Sequence, residues 1–179
     1  MLLLYHIFRF LGRGCGFSFA ESGEILADYG GTVKLQERKM HLVDKIVFGK
    51  EKTNPSFTMI HDILVEYGGK LLILDTKYKE ISRFEGNAKY AVSINDEVKQ
   101  ADLYQMVSYA WKRGAKDVYL LYPMFRYEEA EPNFPYAVCE SPNGNINIHF
   151  IRMPFVFEED GEKTKQQLIC VIKSIFGIE

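Results

Sequence analysis

The sequence predicts an α/β domain with a mixed central sheet flanked by helices. Three observations carry that expectation. Residues 57–66 (FTMIHDILVE) and 70–78 (KLLILDTKY) are two apolar runs on either side of Tyr67-Gly68-Gly69, and Gly-Gly between such runs signals a tight hairpin. Both runs are apolar on both faces, so the sheet they form needs cover on both sides. Residues 96–113 and 163–176 repeat their apolar positions at helical spacing and can supply that cover.

The elements follow in chain order. Residues 2–11 read as a buried first helix that stops at Gly12. Residues 15–48 read as short strands and turns, with a turn at Gly30-Gly31. Within them, residues 40–48 suit either helix or strand, and residues 49–56 form a polar loop. The hairpin comes next, then a polar connection over residues 79–95. In the helix at 96–113, Leu103, Met106, Val107 and Ala110 make one apolar stripe. Lys112 and Arg113 suit the negative end of its dipole, and Gly114 is a suitable stop. Residues 117–123 (DVYLLYP) are a buried strand closed by Pro123. Residues 135–140 and 146–152 form a hairpin around Pro142-Asn143-Gly144-Asn145. The last helix turns Leu168, Val171, Ile172 and Ile175 inward. A chain of 179 residues fits one domain. Its core spans about residues 1–125, and the C-terminal hairpin and helix occupy 126–179.

The composition is that of an ordinary water-exposed α/β protein, 47% hydrophobic and 26% charged. A net charge of −2 argues against a stand-alone DNA-binding module, but it is compatible with a local basic groove. Acidic residues gather in two runs, Glu128, Glu129, Glu131 and Glu158, Glu159, Asp160, Glu162, which read as solvated loops. Cys15, Cys139 and Cys170 form no CxxC pair, which suits a reducing compartment without structural zinc. The apolar start, Met1 to Leu11, is interrupted by His6 and Arg9. It is too short to span a bilayer and has no basic segment before it, so a cytoplasmic protein with no membrane partner is expected. Gly12-x-Gly14-x-Gly16 follows no strand, and there is no P-loop, so the chain itself should not hydrolyse a nucleotide.

The hairpin register brings chemistry together. With a two-residue Gly68-Gly69 loop, Tyr67 pairs with Lys70 and Asp62 lies opposite Asp75. Directly opposed side chains sit about 4.5–5.5 Å apart at Cβ, and two carboxylates so placed repel. A divalent cation between Asp62 and Asp75 relieves the repulsion, and hard oxygen ligands suit Mg²⁺, with Mn²⁺ as a substitute. Lys77, two residues beyond Asp75, projects from the same face. There it can orient a water or balance a scissile phosphate, while Lys79 at the strand edge would face a DNA backbone. Asp62, Asp75 and Lys77 thus suit metal-assisted phosphodiester hydrolysis. The plainer alternative is that each aspartate pairs with a lysine such as Lys77 or Lys79. Gln105 and Tyr109 share one helix face, with Asp102 one turn before. They form either a phosphate- or water-holding group over the sheet or an exposed flank. His61 lies opposite Thr76 and should point to the other face, as a core or supporting histidine. Trp111, Tyr119, Tyr122, Phe125 and Tyr127 read as core or rim.

Three segments carry a family resemblance: His61-Asp62-Ile63-Leu64-Val65; Leu72-Ile73-Leu74-Asp75-Thr76-Lys77-Tyr78-Lys79; and Ala101-Asp102-Leu103-Tyr104-Gln105-Met106-Val107-Ser108-Tyr109-Ala110. Together they resemble the McrC family, the nuclease subunits of 5-methylcytosine-type restriction systems. The resemblance covers roughly residues 1–155. It implies a PD-(D/E)xK restriction-endonuclease-like core, with Asp62 and Asp75 as metal ligands, Lys77 as the motif lysine, and Gln105 and Tyr109 on the accessory helix. It also implies a separate McrB-like AAA+ GTPase partner, which supplies DNA recognition, while this subunit cuts. Double-strand cleavage would need self-association of two copies. The sequence departs from the family pattern in places. His61 replaces the proline of the first motif, and Tyr5-His6 stands where the family carries Tyr-Glu. No counterpart of the family's N-terminal partner-binding domain is recognised. These departures keep a second expectation open, a truncated, non-catalytic McrC-like subunit that scaffolds a GTPase partner.

Overall fold

The computed structural model describes residues 30–52, 54–77, 79, 98–124, 137–140, 146–154 and 161–177. The expected first helix, most of the 79–95 connection, Phe125 and Tyr127 lie outside these residues. Six strands form the main sheet. They are β1 (Thr32–Glu37), β6 (His61–Tyr67), β7 (Lys70–Thr76), β8 (Asp117–Met124), β10 (Asn147–Pro154) and β9 (Ala137–Glu140), adjacent in that order. Two small antiparallel pairs stand apart from it: β2 (His41–Val43) with β5 (Ser56–Thr58), and β3 (Val47–Phe48) with β4 (Glu51–Lys52). The described helices are α1 (Gln100–Arg113) and α2 (Gly161–Phe176).

The β6–β7 hairpin has the expected register, with Tyr67 paired to Lys70, Leu64 to Ile73 and Ile63 to Leu74. Gly68 and Gly69 have φ of 56° and 74°, so both loop residues are left-handed, as a twist-matched two-residue turn requires. Nothing lies within 4 Å of a Cβ built on either glycine, so the cost of a side chain there is conformational. Gly69→Ala is expected to lower stability by about 1 kcal/mol, read as a shifted urea midpoint with unchanged slope.

The sheet is mixed. β6 runs antiparallel to both of its neighbours, β1 and β7; β7, β8 and β10 run parallel, and β9 closes the far edge antiparallel. The β7-to-β8 crossover contains α1, because parallel neighbours need a connection long enough to return to the same end of the sheet. Alternation along the central strands divides the core in two. On one face Leu64, Ile73, Val118, Leu120 and Phe150 pack with Met106 and Ala110 of α1. On the other Ile63, Val65, Leu72, Leu74, Leu121 and Ile151 pack with Leu168 and Val171 of α2. The sheet is therefore covered on both sides, as its two-faced apolar strands demand.

Several boundaries differ from the sequence expectation. The ambiguous segment 40–48 contains β2 and β3, and the polar loop that follows contains β4, entered through Gly49 at φ 61°. The run 57–66 is broken, with β5 ending at Thr58 and β6 beginning at His61, so Phe57 leaves the sheet interior and is exposed. α1 begins at Gln100 rather than residue 96. Gly114 caps it at φ 69°, its N–H bonded back to the last turn. Val107, expected in the buried stripe, is exposed, and so is Trp111. The face α1 presents to the sheet is narrow, centred on Met106 and Ala110. No described helix is long and apolar enough to cross a membrane.

Candidate active site

The β6–β7 ladder is paired only as far as Ile63 and Leu74. Beyond that pair β7 stays joined to β8, with Lys77 N–H donating to the Leu121 carbonyl at 2.8 Å. The Asp62 carboxylate sits where β6 and β7 part. Its Oδ2 accepts the Thr76 backbone N–H at 3.2 Å and the Thr76 hydroxyl at 3.0 Å. Its Oδ1 accepts the Gln36 side-chain amide of β1 at 3.1 Å. Asp62 and Asp75 do not face each other as a simple ladder pair. Asp62 is turned toward Thr76 because its side chain replaces the ladder bond that the diverging strands no longer make.

Asp75 lies on the α1 face and is buried. Lys77 Nζ is 2.6 Å from Asp75 Oδ2 and 3.0 Å from Asp102 Oδ1 in the first turn of α1. The plainer expectation of an Asp75–Lys77 ion pair is thus met, and Asp102 joins it. Lys77 and Asp75 both shift upward, for different reasons. Burial pushes the Asp75 carboxyl up to about 6, Lys77 opposes this, and the negative charges of Asp62 and Asp102 add to it. Burial would lower the Lys77 ammonium, but its contacts with Asp75 and Asp102 outweigh that and raise it. One ammonium therefore serves two carboxylates, Asp75 and Asp102. Asp75 Oδ2 is buried and, among the described residues, accepts no hydrogen bond of good geometry besides that ion pair.

Behind these groups lies a second layer. Gln105 donates to the Tyr109 hydroxyl at 3.0 Å, and that hydroxyl accepts the Ile60 N–H at 3.4 Å. The Gln105 amide thus gives one of its two N–H donors to Tyr109. The His61 ring packs 4.6 Å from the Tyr109 ring and is fully buried. His61 thus meets α1 and does not point to the other face, because strict alternation no longer holds where the β6–β7 pairing has ended. Burial lowers its pKa, the Arg113 charge lowers it further, and Glu37 opposes both. Glu37 of β1 is ion-paired with Arg113 at the end of α1, and Lys112 reaches Asp44 at 2.7 Å. Lys79 is half-buried just past β7.

Among the described residues, no three His, Cys, Asp or Glu side chains form a group that could hold a metal ion. A divalent cation here would rest on one or two carboxylates and water, the coordination Mg²⁺ commonly takes. The residues fit it. Among the described residues, Asp75 has a buried oxygen with a single cationic neighbour, and Asp62 Oδ1 accepts one bond where it has room for two.

The family model for the McrBC 5-methylcytosine restriction system component matches residues 25–123, more than half of the chain. The chain belongs to this family. The matched span of the McrBC-family chain includes β6, β7 and α1, and with them Asp62, Asp75, Lys77, Asp102, Gln105 and Tyr109. No curated protein matches it. Among solved structures, it is similar to a chain in a half-complex of the Thermococcus gammatolerans tetradecameric assembly, McrB AAA+ hexamers with bound McrC. The TM-score is 0.53 at 14% identity, over 88% of this chain and 31% of that one. That likeness is one of fold, and the McrBC-family chain spans about a third of that relative's length.

Two residues of the site escaped the sequence reading. Gln36 sits on β1 between the pairs Leu35–Ile63 and Glu37–His61, a register set by contacts between distant residues. Thr76 stands in the sequence as the residue opposite His61 and as part of the Leu72–Lys79 segment, and neither points to its bonds with Asp62. Asp102 was noted for its helix spacing, but its bond to Lys77 depends on how α1 packs.

Proposed function

We propose that the chain is the metal-dependent DNA endonuclease subunit of an McrBC-like restriction system, built on a PD-(D/E)xK core. The observation that carries this is the buried Asp75 carboxylate, held by Lys77 where β6 and β7 part, in a chain of the McrBC family. Asp75 and Asp62 would hold Mg²⁺ or Mn²⁺, which supplies Lewis acidity toward the scissile phosphate. Lys77, anchored on its far side by Asp102, would balance charge on the phosphate and orient the attacking water. Gln105 would act through Tyr109 to fix the wall of the site, and Lys79 would meet the DNA backbone.

A McrB-like AAA+ partner is supported by the likeness to a chain from the McrB–McrC assembly. With a net charge of −2, DNA affinity without a partner should be weak and fall steeply with salt. One site cuts one strand, so a double-strand break would require two copies.

The test is nicking of supercoiled plasmid by the purified chain, with Mg²⁺ or Mn²⁺ against EDTA and with or without a McrB-like partner. Metal-dependent nicking is expected. Absence of nicking in every arm, together with no metal binding by calorimetry, would overturn the proposal. That outcome would favour a non-catalytic scaffold, a reading supported by the exposed Tyr104, Val107 and Trp111 on the outer side of α1.

A further inference from the structure

Gln36 is one of two described non-glycine residues with positive φ, at 50°. Such a conformation is costly for a side chain without a local turn to favour it. It persists only where the surroundings over-determine it, and such residues gather at functional sites. The surroundings are visible. Leu35 and Glu37, on either side, are held in register against Ile63 and His61 of β6. Glu37 is also tied to Arg113 of α1. The backbone at Gln36 is therefore clamped from two directions, and its amide reaches Asp62 Oδ1 at 3.1 Å.

The bonds to Asp62 divide unevenly. Oδ2 takes both donors of Thr76, which fills its two lone pairs. Among the described residues Oδ1 takes Gln36 alone, which leaves one lone pair directed by the position of that amide. Thr76 holds one carboxylate oxygen and Gln36 the other, so Gln36 sets which way the remaining Oδ1 lone pair points within the orientation that Thr76 already restrains.

We infer that Gln36 is a positioning residue, which fixes the Asp62 carboxylate so that one Oδ1 lone pair is offered to a divalent cation shared with Asp75. The inference rests on the metal-dependent reading of the site. A glycine would occupy this backbone more easily, so the glutamine is retained at a local cost for its side chain. Outer partners that orient a metal-binding carboxylate are commonly worth about 10–100-fold in metal affinity.

The experiment is Mn²⁺ binding by calorimetry to the purified chain and to Gln36→Gly, with thermal unfolding of both without metal. Gln36→Gly relieves the backbone and removes the amide. The expected result is a metal-free melting temperature no lower than wild type and Mn²⁺ affinity reduced by about tenfold or more. Gln36→Asn suits positive φ but is one methylene short, so it should fall between the two. Wild-type affinity in Gln36→Gly would overturn the positioning role while leaving the metal site standing. Absence of Mn²⁺ binding by the wild type would overturn both.

Discussion

Asp75→Asn is expected to abolish metal-dependent cleavage and at the same time make the metal-free protein harder to unfold at pH 7.5. The loss of cleavage should exceed about 100-fold, the upper end of what removing a mere outer-shell partner costs. The gain in stability follows from burial. The Asp75 carboxyl is pushed from 3.8 to about 6 in the fold, so between those values the folded state holds a proton that the unfolded state has released. Stability from this group is then full below about pH 4, declines as pH rises toward 6, and stays low above it. Asparagine carries no charge at any of these pH values. At pH 7.5 the variant should be more stable by on the order of 2 kcal/mol, or roughly 4–8 °C in melting temperature. The advantage should vanish near pH 4. Thermal unfolding at pH 4, 6 and 7.5, beside plasmid nicking, checks both halves. Retained cleavage would remove Asp75 from the site. Cleavage lost with stability also lost would mean that the carboxylate is structural.

Lys77→Met should move stability the other way. The ammonium is the group that faces both Asp75 and Asp102, and removing one partner of a buried pair strands the other. Both Lys77 and Asp75 keep slight solvent access, so the expected cost is about 2–3 kcal/mol, below that of a fully buried pair. The deficit should shrink as pH falls, because Asp75 can then take a proton instead of standing as an unpaired charge. Millimolar Mn²⁺ should raise the melting temperature of Lys77→Met more than that of the wild type, since a cation would replace the missing charge. Cleavage should remain low even with Mn²⁺ bound, because the group proposed to balance the phosphate is gone. An unchanged melting temperature in the variant would contradict the charge balance described for the site.

These effects centre on residues whose legibility in the sequence was unequal. Gly68-Gly69 between two apolar runs sets the hairpin and its register, because turn geometry and alternation act locally. The placement of Asp75 and Lys77 on one face follows directly. The relation of Asp62 to them does not. Alternation places Asp62 opposite Asp75, yet the strands part after Ile63 and Leu74, and the side chain fills the gap by bonding to Thr76. Where a ladder opens is decided by the neighbouring strands, here by β1 and β8 pulling on either side. Gln36 was invisible for the same reason, since its partner lies 26 residues away. Val107 shows a limit of helical periodicity. It lies in the same apolar stripe as Met106 and Ala110, but a helix laid on a twisted sheet touches along a narrow line.

The exposed outer side of α1 also determines how this protein can be watched. Trp111 is the only tryptophan in the chain, and it is 73% exposed. Its indole is already in water before the protein unfolds. Its emission colour will therefore change little on denaturation, and a melt followed by that colour alone would report a flat line for a protein that is unfolding normally. The same placement makes the indole sensitive to anything that lands on α1, where the loss of water would shift the emission to shorter wavelength.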